Sequence, residues 1–100
     1  MEWLTPWRPI DGEEATALER ELHRELAREH QLYGLPVRGL ARRGDSDDVL
    51  YAIEDGTARV ATVHLTWESP PERPPWPTTK FFSSFDVWVR DGMQFDHDNG

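Results

Sequence analysis

Five prolines fall within residues 70–77, in the run PPERPPWP. Each removes an amide donor and fixes its own φ, so neither a helix nor an interior strand can pass through the stretch. What remains is an extended, polyproline-like loop, predicted over residues 69–79. It divides the chain: the elements before it end near Trp67, and whatever follows is built from residues 80–100. Pro71 and Pro74 form a PxxP, but neither flank carries the basic residue at the spacing that SH3 ligands use.

Upstream of the loop, DVLYAIE and TARVATVHLTW read as two strands of a hairpin. Two turns compete to join them. A two-residue Asp55-Gly56 turn divides the apolar residues between both faces. A turn centred on Glu54 and Asp55, with a left-handed Gly56 making a bulge, pairs Ile53 with Thr57. It gathers Val49, Tyr51, Ile53, Ala61, Val63, Leu65 and Trp67 on one face. Because register follows the apolar pattern, the second turn is expected, with Asp48 opposite Thr62. The other face carries Thr62, His64 and Thr66 beside Leu50, Ala52 and Val60, which calls for partial cover. Residues 37–43 (VRGLARR) are a weaker third strand.

Asp11 and Glu14 have the spacing of a capping box, opening a helix that Gly34 and Pro36 stop. Leu18, Leu22 and Leu26 form its apolar row and His30 continues it; Glu21 with Arg24 and Glu25 with Arg28 are attractive pairs at spacing three. After the loop, Ser83 and Asp86 resemble a second cap. Phe85, Trp88, Val89, Gly92 and Met93 then follow the spacing of one buried helix face. The tail FDHDNG, residues 95–100, reads as polar and frayed, and residues 1–10 as an N-terminal arm.

The expected architecture is α+β within a single domain: an N-terminal helix on a three-stranded antiparallel meander, a proline-rich loop and a short C-terminal helix. The predicted core is Leu18, Leu22, Leu26, Val49, Tyr51, Ile53, Ala61, Val63, Leu65, Trp67, Phe85, Trp88, Val89 and Met93. Trp76, between prolines, is expected to staple the loop over the sheet. For Trp3 and Trp7, packing and exposure are evenly balanced.

Charge narrows the function classes. A formal net charge of −8 repels a phosphate backbone, which disfavours nucleic acid despite Arg38, Arg42 and Arg43. No apolar run approaches membrane-spanning length. No signal-peptide pattern opens the chain and no cysteine is present, so a cytoplasmic location is expected. Metal ligation is not expected: His23 and His30 lie seven apart, and the Asp96-His97-Asp98 run lacks a scaffold. No cofactor motif occurs.

Two functional readings remain. The leading one is a non-enzymatic module that meets a basic protein partner through Asp45, Asp47 and Asp48 and through Trp76, an immunity-type neutraliser being one form of it. The alternative is a small hydrolase or ligand-binding protein centred on His64. There Asp48 would orient the imidazole, Thr62, Thr66 and Trp76 would line the pocket, and no evident nucleophile accompanies them.

Taken in order, Asp47-Asp48 before an apolar strand, HLTW, the WP of Trp76 and Pro77, and F-x-x-W-V at Phe85 to Val89 resemble a family of small uncharacterised bacterial proteins. The likeness would cover most of residues 15–98. It implies the same sequence of elements and no activity.

Overall fold

In a computed structural model, the structure describes residues 1–68 and 73–100. The part of the predicted proline loop at residues 69–72, with Pro71 of the PxxP, lies outside the described residues. The fold is α+β, and its sheet has five strands rather than three. The strands are β1 (Trp7–Pro9), β2 (Val37–Arg43), β3 (Asp48–Ile53), β4 (Val60–His64) and β5 (Thr79–Phe82). Neighbours in space are neighbours in sequence, and every pair is antiparallel. The extra strands are the two edges: β1 comes from the expected N-terminal arm, and β5 from the segment after the prolines. Both are too short to display a period in the sequence.

Helix α1 (Gly12–Glu25) opens as expected, with Asp11 Oδ1 accepting from the Glu14 amide at 2.7 Å. It stops nine residues before Gly34. At Leu26 the backbone turns extended, and a series of tight turns carries the chain from Arg28 to Gly34. Leu26 and Leu32 stay buried after the helix has ended.

The hairpin register differs from the expected one by two residues. Asp48 faces His64 and Leu50 faces Thr62, while the Ile53 amide donates to the Arg59 carbonyl across a longer connection. A two-residue shift keeps every side chain on its face, so the apolar set from Val49 to Leu65 is intact. Trp67 is the exception: its backbone is left-handed, φ 59°, and the side chain is 47% exposed instead of closing the core.

Each face of the sheet carries its own core. On one, Leu18, Leu22, Leu26 and Leu32 pack on Val49, Tyr51, Ile53, Ala61, Val63 and Leu65. The buried Tyr51 hydroxyl donates to the Leu18 carbonyl at 2.7 Å, and burial pushes its ionisation well above the ordinary value. Helix and sheet approach closely at Gly39, where an added Cβ would stand 3.3 Å from the Ala15 backbone.

The opposite face holds Trp7, Ala41, Leu50, Val60, Phe82, Trp88 and Met93. This core is fully formed, more than the partial cover expected. Trp7 therefore belongs to the interior, its ring 5.1 Å from Trp88 in an edge-on contact, and half-buried Trp3 lies 6.1 Å from Trp88. Phe85 and Val89 are only partly buried at its margin.

The cover is one helical run in three pieces: α2 (Phe85–Trp88), a π-helical segment (Val89–Met93) and α3 (Gln94–Asn99). Ser84, not Ser83, caps it by accepting from the Val87 amide. The expected frayed tail is helical, held by Asp96 accepting from Trp7 Nε1 at 2.8 Å and by His97 Nδ1 donating to the Thr5 carbonyl at 2.7 Å. Among the described residues no helix is long and apolar enough to cross a membrane.

Candidate functional site

Two features stand out from the scaffold. The first is the base of the proline loop. His64 donates its amide to the Thr78 carbonyl, so the strands on either side of the loop run together as far as that pair. Past it, Trp67 stands on one arm and Trp76 on the other, both 47% exposed. Trp76 is therefore only half covered, where a staple over the sheet was expected to be packed.

Two buried polar side chains fix the arms. Glu25, at the last turn of α1, is fully buried. Its Oε1 accepts from the Thr66 amide at 2.8 Å and the Thr66 hydroxyl at 3.1 Å, and its Oε2 from the Trp67 amide at 2.8 Å. On the other arm His30 Nδ1 accepts from the Leu32 amide at 3.0 Å. The proton therefore sits on Nε2, which donates to the Pro77 carbonyl at 2.9 Å. Leucine-row spacing had marked Leu26 and His30 only as a helix face. Glu25 was expected to pair with Arg28; instead it turns inward.

Glu21 shares this buried corner. Its Oε1 accepts from Arg24 at 2.6 Å, as expected, while among the described residues its Oε2 is buried without a partner. Burial, and then the neighbouring Glu25 carboxyl, push the Glu21 carboxyl above the usual range.

At the foot of the loop lies a hollow of about 500 Å³ walled by Glu29, His30, Gln31, Pro74, Pro75 and Phe81.

The second feature is the polar end of the sheet face that carries Trp88. The register sets Asp48 directly across from His64, and Nδ1 meets Asp48 Oδ1 at 2.7 Å. The His64 side chain is 50% exposed. Its Nε2 has no hydrogen bond among the described residues. Thr62 joins them in a shallow recess of about 200 Å³, with Lys80 and Thr78 from the β5 side.

The predicted pocket is thus assembled in part. His64, Asp48 and Thr62 come together. Thr66 turns to Glu25 instead, and Trp76 stands apart from the recess. Lys80 was missed, though it is the only lysine in the chain.

The three acids of the triplet have different surroundings. Asp45 binds Arg43 in two parallel bonds of 2.9 and 3.0 Å, and that guanidinium holds its carboxyl below the usual range. Asp48 faces His64, and Asp47 is exposed and makes no side-chain hydrogen bond among the described residues. No cluster of three metal-ligating side chains occurs among the described residues.

No family model, no curated protein and no solved structure matches the chain.

Proposed function

We propose that the chain is a non-enzymatic interaction module that presents Trp67 and Trp76 to a basic protein partner. The observation that carries this reading is the pair of half-exposed tryptophans on arms fixed by Glu25 and His30. Exposed aromatic anchors dominate binding energies, and anchors held rigid beforehand lose less entropy on docking.

Backbone geometry at Trp67 argues the same way. A left-handed φ costs a bulky residue about 1–3 kcal/mol, and such strain clusters at functional sites. Folding alone would be better served by glycine there.

The surroundings give the partner its charge. Glu68 follows Trp67 directly, exposed Asp47 lends its carbonyl to Leu65, and Glu29 borders the hollow beneath Pro74 and Pro75. A hollow of that size takes an aliphatic stem ending in a cation, as Lys or Arg provides. The net charge of −8 would speed the encounter.

Trp67→Gly and Trp76→Ala test the reading. Arrays of lysine- and arginine-containing peptides probed with the full chain should give salt-sensitive binders. The double variant should lose them while its unfolding midpoint stays no lower than the parent's. Binding that ignores salt, or that survives in the double variant, would refute the proposal.

A further inference from the structure

The polar end of the Trp88 face holds a second site, independent of the tryptophan loop. We infer that the recess at His64, Thr62 and Lys80 binds the anionic head of a small organic molecule, a carboxylate or a phosphate ester. The body of that molecule would extend towards the unpaired Trp88 indole.

The donors are already arranged for an anion. Asp48 accepts from His64 Nδ1 and fixes the ring, leaving Nε2 without a partner among the described residues and able to donate to an anion in the imidazolium form. Lys80 of β5 is set opposite Thr62 of β4 by the sheet register, and its Nζ lies 5.2 Å from the Phe82 ring centroid. Thr62 and Thr78 add hydroxyls to the same wall.

The nearby acids are largely engaged. Asp48 is bound to His64. Arg43 joins Asp45 at 2.9 Å and Asp96 at 3.5 Å, and Asp91 is paired with Arg90 at 3.0 Å. Lys80 is then the side-chain cation left facing the recess, with the His64 ring beside it. A volume of about 200 Å³ accommodates one carboxylate or phosphate group and little more.

A second compartment of about 200 Å³ adjoins the first and shares Asp48, Thr62 and Lys80 with it. Its far wall is Trp88, Gly92 and Phe95. Trp88 is completely buried, yet its Nε1 donor has no partner among the described residues. A buried N–H left unpaired costs about 1–3 kcal/mol, so the fold tolerates a donor it does not use.

Gly92 borders that donor: a Cβ here would fall 2.7 Å from Nε1 and 2.5 Å from Cδ1. The π-helical segment Val89–Met93 brings Gly92 to the indole, and such segments recur at binding sites. The two compartments together sit near the lower end of the ~300–1,000 Å³ range of small-molecule sites. An acceptor on the ligand body, within an aromatic or aliphatic frame, would satisfy Trp88 Nε1.

The single lysine makes the test direct. Reductive ¹³C-methylation of the full chain labels Lys80 and the terminal amine alone, and ¹⁵N labelling reports the Trp88 indole. Three probes are titrated: inorganic phosphate, phenyl phosphate and benzoate. Inorganic phosphate should shift Lys80 and the His64 ring. The aromatic probe with the preferred head should also move the Trp88 indole, and the stronger of the two identifies phosphate or carboxylate as that head. His64→Gln and Lys80→Gln, both exposed positions, should each weaken binding roughly ten-fold, about 1.4 kcal/mol.

No shift at Lys80 with any probe would overturn the inference. So would shifts that persist unchanged in both variants. A response to all three probes that never reaches the Trp88 indole would overturn the second compartment's part. Neither Trp67→Gly nor Trp76→Ala should alter these titrations, which separates this site from the loop.

Discussion

Replacing Glu25 by alanine is the sharpest test of how the loop is held. Glu25 is fully buried and accepts three hydrogen bonds, from the Thr66 amide, the Thr66 hydroxyl and the Trp67 amide. Alanine deletes both acceptor oxygens with all three bonds and leaves two part-buried amides without a partner. A bond to a charged acceptor contributes about 1.5–3 kcal/mol net, and an orphaned buried donor costs a comparable amount. The terms overlap, and removing one member of a buried charged network typically costs about 3–5 kcal/mol. One contribution opposes this. Without Glu25 beside it, Glu21 ionises more readily, so the lower half of the range is expected. At roughly 4–8 °C per kcal/mol for a chain of this size, the melting midpoint should fall by more than about 12 °C. The second readout is local: amide exchange at Thr66 and Trp67 should accelerate far more than at Tyr51, which lies within the sheet. Glu25→Gln keeps one acceptor oxygen and should fall between the two. A loss below about 1 kcal/mol, with both amides still protected, would refute the reasoning that Glu25 anchors Trp67.

Two further outcomes follow from the same structure. Because the Glu21 carboxyl is raised in the folded state, its contribution to stability is present below the unfolded carboxylate value and is lost as pH rises through the raised one. Glu21→Gln should therefore stabilise the protein at pH 7 and match the parent at pH 3 in urea titrations; destabilisation at pH 7 would contradict the burial argument. Gly92→Ala drives a methyl to 2.5 Å from Trp88 Cδ1, so either the indole or the π-helical segment must shift. Overpacking of this kind costs about 1–3 kcal/mol, and an unchanged unfolding midpoint with an unmoved indole resonance would show the contact to be looser than described.

How much of this was legible beforehand depends on what a pattern can encode. Alternation reports the face of a side chain, so the set from Val49 to Leu65 could be read. It is blind to a shift of two residues, which keeps every face and changes every partner; hence Asp48 was placed opposite Thr62 rather than His64. Spacing of four marked Leu18, Leu22 and Leu26, but it holds no information on where the helix stops. Its end at Glu25 coincides with tertiary bonds to Thr66 and Trp67 that lie some forty residues away. Trp67 continued the alternation and left the core only because its backbone turns left-handed. Trp7 and the unpaired indole of Trp88 had no local signal. Asp48, Thr62 and His64 were recognisable by type, whereas Lys80 was hidden in a segment read as a loop margin.

The two outer strands restrict how any partner can approach. β1 has three residues and ends in Pro9, with Pro6 just before it, while β5 has four and follows Pro77. An added strand would need a longer ladder of free amides than either offers, and proline supplies none. Recruitment by β-addition, the commonest backbone-led mode for an exposed sheet, is closed to this chain at the β1 side and cramped at β5. A partner of the kind proposed would then be met through side chains, and its recognition could be altered one residue at a time.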